Sequence, residues 1–248
     1  MATHDLVQLI ALRPSDDMVT IEIGPKPKTF QVSRALLAQH SLFRNFQTHS
    51  TSGSEHKFVF EDLSPRAFNI FLGWLHTGSL PETMEDWLEH LPNISLLELD
   101  LKVNLLRLKT WVVAERLGAE EFLMIINNQY VENNFTAPWL AEVIFAFTHI
   151  PHDRRILNLL VDCHCNGSIS RKELAFDEGP ELQHQLPIEF FLRVMDRYAY
   201  LRQYDDGGEE PLFIKCDYHE HATEDERAVC REAETDEMYI SRWPGHGA

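Results

Sequence analysis

The chain has 248 residues, of which 44% are hydrophobic, and this is enough apolar material for one large domain or two small ones. Its 39 acidic and 22 basic residues give a formal net charge of −17, so we expect the surface to repel nucleic acid and anionic membranes. Four cysteines, with no membrane-length apolar run and no secretory signal, predict a soluble protein of the cytoplasm or nucleus.

The first predicted elements are a β-hairpin and a helix. Residues 18–23 and 30–32 alternate apolar with polar side chains, which is the pattern of half-buried strands. The apolar members are Val19, Ile21, Ile23, Phe30 and Val32. The Gly- and Pro-containing loop at 24–28 is too short for a parallel crossover, so the two strands are predicted to be antiparallel. Ser33 is placed to cap the helix that follows.

A third strand and a long apolar helix come next. Residues 57–61 predict a brief strand with its two phenylalanines on one face. Ser64 and Pro65 are two independent signals for a helix start, a side-chain cap and a proline at the first helical position. Gly78 is expected to end this helix.

Residues 79–100 look like an acidic insertion. Acidic side chains lie beside tryptophan and leucine residues there, which predicts a surface helix with its apolar side docked, and a specific partner site is the alternative. Helical periodicity then resumes over residues 105–116, ends at Gly118, and starts again over 122–130. These two segments predict a compact helix pair.

The rest of the chain reads as helical and then acidic. Amphipathic patterns over residues 139–147, 156–161 and 188–195 predict three helices. Residues 205–210 form an acidic, Gly-containing linker, and the charged residues after it are expected to be ordered only in part.

The order of these elements resembles that of a BTB (POZ) domain, and most closely the BTB proteins of filamentous fungi. The segments that carry the resemblance are "DDMVTIEIG", "KTFQVSRALLAQHSLFRNF", "FVFEDLSPRAFNIFLGWLHTGSL" and "LKTWVVAERLGAEEF". The resemblance implies an α+β fold, in which a small mixed sheet with a helical cluster occupies residues 15–134. An all-helical region at 135–204 and a partly disordered acidic tail at 205–248 complete the predicted organisation.

The same resemblance implies that the domain acts as a protein–protein interaction platform, often as a homodimer. Asp17 and Arg34 fall where many dimeric members place a charged pair near the interface, although two solvated surface charges are the alternative. The family usually has a histidine where this chain has Ser33. Members that recruit cullin-type ubiquitin ligases often carry a hydrophobic-x-Glu motif in the loop that here reads "THSTSGSEHK". The motif is absent, so a role as ligase substrate adaptor is an alternative that rests on family habit alone.

The tail contains a candidate zinc site. Cys216, His219, His221 and Cys230 offer two thiolates and two imidazoles, a ligand set that suits tetrahedral Zn²⁺ if the chain turns after Cys216. In a strand, however, Cys216 and His219 would face opposite sides. The alternative is a solvated acidic tail without metal.

No other residues suggest chemistry. Cys163, His164 and Cys165 are adjacent on an apolar helix, so they diverge and cannot all bind one metal, and a buried thiol is the preferred interpretation. The sequence has no phosphate-binding glycine loop, no His-Glu-x-x-His and no Gly-x-Ser-x-Gly. We therefore expect no catalytic residues and no cofactor. The predicted function is a non-enzymatic interaction protein that binds itself or another protein.

Overall fold

The computed structural model describes the following parts of the chain: residues 18–40, 57–91, 94–95, 98–134, 136–166, 180–204 and 214–242. Within them the fold is α+β, with a small three-stranded sheet near the start of the chain followed by helices, as the sequence predicts. None of the helices in these parts is both long enough and apolar enough to cross a bilayer.

The sheet has the order β2-β1-β3. Strands β1 (Met18–Ile23) and β2 (Lys28–Ser33) form the predicted antiparallel hairpin, and β3 (Lys57–Phe60) runs parallel to β1 on its other side. All the apolar residues that the alternation assigned to the inner face are buried. The central position of β1 therefore places its inward side chains between those of both neighbours.

Gly24, in the hairpin turn, contacts Phe60 at the end of β3 and Pro65 just after it. Its φ angle is +93°, and its N–H donates to the carbonyl oxygen of Phe60 over 2.8 Å. A Cβ atom at this position would lie 3.0 Å from Cγ of Pro65. Both the backbone conformation and the close approach therefore favour glycine.

The first two helices differ in how they begin. Ser33 precedes α1 (Arg34–Gln39), but its side chain makes no capping hydrogen bond, so the predicted cap is wrong in that respect. In α2 (Pro65–Thr77), by contrast, the Ser64 side chain accepts from the N–H of Ala67 over 3.4 Å, as expected. Gly78 ends α2 in the left-handed conformation, with φ +72°.

The acidic segment contains a docked helix, α3 (Met84–Glu89), which confirms the expected arrangement. Thr83 and Asp86 form a capping box at its start. Trp87 is fully buried, and its Nε1–H donates to the carbonyl oxygen of Pro81 over 3.0 Å. The guanidinium of Arg107 lies 5.2 Å from the centre of the Trp87 ring, a cation–π distance that helps to hold α3 against the protein.

The next helices are α4 (Leu99–Leu117), α5 (Glu120–Asn133), α6 (Leu140–His149), α7 (Arg155–Asn166), α8 (Pro180–Gln183) and α9 (Ile188–Leu201). Helical periodicity predicted all of them except the short α8. Gly118, with φ +62°, separates α4 from α5 as expected. One cluster of buried apolar side chains runs from Val19 in the sheet to Tyr218 in the tail. The boundary proposed at residues 134–135 stays a prediction.

A buried polar network crosses the middle of the helical layer. The carboxylate of Glu142, in α6, accepts from the Tyr130 hydroxyl and from Nδ2 of Asn104, each over 3.0 Å. Glu142 is only 1% exposed, and the equally buried Arg107 donates to Oδ1 of Asn104 over 3.3 Å. Three helices, α4, α5 and α6, are therefore joined by charge-assisted hydrogen bonds inside the core.

The tail contains more regular structure than the sequence predicts. Ile214 leads into a 3₁₀ turn (Lys215–Asp217), and α10 (Glu224–Arg242) follows. We call residues 214–221 the docked turn. Its Cys216, Tyr218 and His219 side chains are buried.

Candidate interaction surface and metal centre

One member of the predicted charged pair, Arg34, lies at the start of α1. Arg34 is half-buried and follows Ser33, which pairs with Met18 across the hairpin. Asp17, the residue before Met18, lies outside the described residues. Residues 48–56, which form most of the loop where a cullin-binding motif would lie, are also outside the described residues. The charged pair and the adaptor role therefore stay predictions.

An apolar face of α9 is exposed. Ile188 is 73% exposed and Met195 is 67% exposed, and Phe191, Leu192 and Tyr198 are exposed as well. Their spacing of three, four and seven residues places them along one side of the helix. Amphipathic helices contact protein partners through apolar stripes of this kind.

The cysteines at the end of α7 do not take part in a metal site in the described structure. Cys163 is buried, and its Sγ lies 3.7 Å from the carbonyl oxygen of Asn134, consistent with the predicted small buried thiol. The His164 ring packs edge-on against Phe190, with 5.2 Å between ring centres.

Three of the four candidate zinc ligands of the tail, in contrast, come together, and the fourth, His219, contacts one of them. One ligand atom each from Cys216, His221 and Cys230 lies within 4.8 Å of the other two. The Sγ of Cys216 is 3.6 Å from Nε2 of His221. On the other side of the cluster, Nδ1 of His219 is 3.5 Å from the Sγ of Cys230. We call these four residues the Cys/His cluster.

Two features of the local fold bring the cluster together. The 3₁₀ turn at Lys215–Asp217 supplies the change of direction after Cys216 that the sequence analysis required. The carboxylate of Glu234, in α10, then accepts from the backbone N–H groups of Lys215 (2.5 Å) and Cys216 (2.7 Å). Glu234 therefore fixes the docked turn against the helix that carries Cys230.

Hydrogen bonds to α5 also hold the docked turn against the helical part of the protein. The Asn128 side-chain amide exchanges two hydrogen bonds with the backbone of Glu220, over 2.8 and 2.9 Å. Nδ2 of Asn127 donates to the carbonyl oxygen of Tyr218 over 2.9 Å. These asparagines satisfy buried backbone groups that would otherwise cost free energy.

Contacts to α7 complete this attachment. The Tyr218 hydroxyl donates to Asp162, whose carboxylate also pairs with Nε of Arg197 over 2.8 Å. Arg155 donates to the carbonyl oxygen of His219 over 3.2 Å. The turn therefore presents its cysteine and histidines from a fixed platform.

The environment of the cluster changes the protonation of its members. Burial, together with the neighbouring Cys230 thiol and nearby carboxylates, raises the pKa of Cys216 to about 11. Burial lowers the pKa of His219, so its imidazole is neutral near pH 7, the form that binds metal. Two cysteines and two histidines at these distances can bind a dication, which displaces the thiol protons and stabilises the thiolates.

Sequence reasoning identified the cluster but missed the residues that support it. Glu132 contacts both Lys215 (2.6 Å) and Nε2 of His219 (3.1 Å), although it lies more than eighty residues away in the chain. Asn128 and Glu234 were also missed. The adjacent asparagines Asn127 and Asn128, which follow an apolar run in α5, were the one available signal, because buried amides need partners.

Comparison with known proteins adds a family match. A model of the BTB/POZ domain matches residues 10–106, a range that contains the sheet, α1 to α3 and the first part of α4. The match is to the family as a whole, so the filamentous-fungal subgroup stays a prediction. The curated proteins include no match to this chain. Residues 10–106 are therefore similar to the BTB/POZ domain, a family of protein–protein interaction modules in which dimers are common.

Proposed function

We propose that this chain is a non-enzymatic interaction protein whose BTB/POZ domain binds a second copy of the chain. The observation that carries the proposal is the family match over residues 10–106, in the same residues that form the three-stranded sheet and the first helices. Docking of another protein through the same domain is the second form of the proposal. The net charge of −17 favours a partner with a basic surface in that case.

Arg34 is the described residue that the proposal places at the dimer interface. It lies at the junction of β2 and α1, where its side chain is half-buried. A partly buried charge contributes more to an interface than a fully solvated surface charge. Reversing the charge of Arg34 is therefore the single substitution that tests the proposed interface most directly.

Sedimentation velocity from low to high micromolar protein concentration tests the proposal. We expect a dimer in the wild type and, in Arg34→Glu, a dissociation constant raised at least about tenfold. Arg66→Glu is the matched control, because Arg66 is exposed in the first turn of α2 and makes the same charge change. Circular dichroism of each variant verifies that the fold is retained. A wild-type protein that stays monomeric at high micromolar concentration would refute the proposed self-association.

A third variant distinguishes the domain from the apolar face of α9. Met195→Lys places a charge in the middle of that face without touching the sheet. If self-association depends on the BTB/POZ domain, this variant dimerises like the wild type. Loss of the dimer in Met195→Lys, with Arg34→Glu unaffected, would assign the interface to α9 and refute the BTB-mediated form.

A further inference from the structure

We propose that the Cys/His cluster binds one Zn²⁺ ion through Cys216, His219, His221 and Cys230, and that this ion fastens α10 to the rest of the protein. The inference concerns the tail alone and is independent of the proposed self-association. The match to the BTB/POZ domain ends at residue 106, so the cluster lies entirely outside the matched range.

Two sulfur–nitrogen distances within the cluster match the edges of a tetrahedral site, and a shift of His219 toward the other three ligands would complete it. Zinc–sulfur bonds of about 2.3 Å and zinc–nitrogen bonds of about 2.0–2.1 Å at the tetrahedral angle place a ligand sulfur and a ligand nitrogen about 3.5–3.6 Å apart. The two sulfur–nitrogen distances in the cluster are 3.6 Å, from Cys216 to His221, and 3.5 Å, from Cys230 to His219. Each cysteine is thus already one tetrahedral edge away from a histidine.

His219 has the surroundings of a metal ligand. Its Nδ1 faces Cys230, and its Nε2 lies 3.1 Å from Oε1 of Glu132, within ion-pair distance though off the line of a hydrogen bond. Metal-binding histidines generally direct their second ring nitrogen to a carboxylate, which sets the tautomer and the orientation of the ring. An Nε2–H directed at Glu132 would leave Nδ1 unprotonated to bind the metal.

The packing of α10 explains why an ion would matter there. From Glu224 to Thr235 no side chain of α10 is buried, and Val229 is 68% exposed. The half-buried residues include Arg227, Cys230 and Glu234, one narrow stripe that faces the docked turn. Isolated helices are marginal in water, and most helices are held by an apolar face. This helix lacks such a face over the described side chains, so ligation through Cys230 would reinforce the polar contacts that Glu234 and Arg231 make with the docked turn.

The ligand chemistry selects zinc among common metals. Thiolates and imidazoles in a tetrahedral arrangement suit Zn²⁺, whereas Ca²⁺ and Mg²⁺ require a shell of oxygen ligands. Without metal, the Cys216 thiol donates to the carbonyl oxygen of Arg227 over 3.5 Å. A hydrogen-bonded pair of thiols and a Cys216–Cys230 disulfide are the competing arrangements, and the experiment distinguishes all three.

Metal analysis of the full chain, purified under reducing conditions and dialysed against one equivalent of Zn²⁺ and then metal-free buffer, is the first test. We expect one zinc per wild-type chain and a loss of at least about a hundredfold in zinc affinity for Cys230→Ser and His221→Asn. Cys165→Ser is the matched control, since Cys165 is a half-buried thiol outside the cluster, and it should retain the full zinc content. Equal zinc content in the wild type and Cys230→Ser would overturn the proposal.

The second test does not depend on whether a variant folds. Wild-type protein loaded with Co²⁺ should show the visible absorption of a tetrahedral thiolate site, and Zn²⁺ should displace it. Trypsin cleavage at Arg227 and Arg231 should be slow with zinc and at least about tenfold faster after chelation. A spectrum of octahedral Co²⁺, or cleavage unaffected by chelation, refutes the site. Two reactive thiols instead of four in unfolded, unreduced protein would indicate a disulfide and refute it as well.

Discussion

The Tyr130 hydroxyl is expected to hold the buried carboxylate of Glu142 in place, and Tyr130→Phe removes that hydroxyl alone. The oxygen donates to Oε2 of Glu142 over 3.0 Å, and neither residue is accessible to solvent beyond 1%. Burial, with the Glu142 carboxylate beside it, raises the pKa of Tyr130 well above its usual value. The tyrosine therefore stays protonated as a donor, and phenylalanine removes its hydrogen bond while the one from Asn104 remains.

The cost follows from the charge and the burial of Glu142. A hydrogen bond to a charged group contributes about 1.5–3 kcal/mol, and a buried acceptor left short of a donor loses its desolvation energy without compensation. About 2 kcal/mol, near the middle of that range, corresponds to about 4–8 °C in Tm for a chain of this size. The cavity left by one oxygen atom adds little, because the ring itself remains.

Thermal and urea unfolding of Tyr130→Phe measure this loss. Tyr200→Phe is the control, since its ring is exposed on α9 and its removal of a hydroxyl should change stability by less than about 0.5 kcal/mol. Repeating Tyr130→Phe in a Glu142→Gln background separates charge from packing, because a neutral acceptor makes the weaker bond. An equal loss in both backgrounds, or no loss in either, would refute the reasoning.

Three further outcomes are expected. Glu132→Gln removes the carboxylate beside His219 and should weaken zinc binding by about 10–100-fold in chelator competition, while Glu120→Gln, an exposed change on the same helix, should not. Ser64→Ala should cost about 1 kcal/mol in urea unfolding, whereas Ser33→Ala, where no cap bond forms, should cost less than about 0.5 kcal/mol; equal losses would contradict the cap geometry. Raising NaCl from about 10 to about 150 mM shortens the Debye length from about 30 to about 8 Å and screens the repulsion between two acidic chains. Sedimentation should therefore show stronger self-association at the higher salt concentration. Weaker association would instead indicate pairs of opposite charges at the interface.

Elements that depend on neighbouring residues could be predicted from the sequence. The alternation in β1, the start of α2 at Ser64 and the helix end at Gly118 each rest on a few adjacent residues, and the structure has all three. Ser33 shows the limit of such signals. Its residue type and position are those of a cap, but the bond also needs a suitable side-chain rotamer, which the sequence does not specify.

The tail shows a second limit. Residue type alone singled out the Cys/His cluster, and the objection that Cys216 and His219 would face opposite sides assumed an extended chain. The 3₁₀ turn removes that assumption. The turn itself depends on Glu234, which accepts from two of its backbone N–H groups, and on Asn128, which is some ninety residues away. Contacts between distant segments have no period in the sequence, so neither partner could be predicted.

The proposed metal centre and the proposed interface lie in parts of the protein that can fail separately. Loss of zinc would release α10 and loosen the docked turn, whose contacts run to α5 and α7 through Asn128 and Arg155. Among the described side chains, none from α10 belongs to the buried apolar cluster that contains the sheet. The part of the protein that carries Arg34 should therefore keep its fold in the chelated protein. Self-association measured with and without chelator therefore reports on the BTB/POZ domain alone, and a dimer that disappears on chelation would place the tail, rather than the sheet, at the interface.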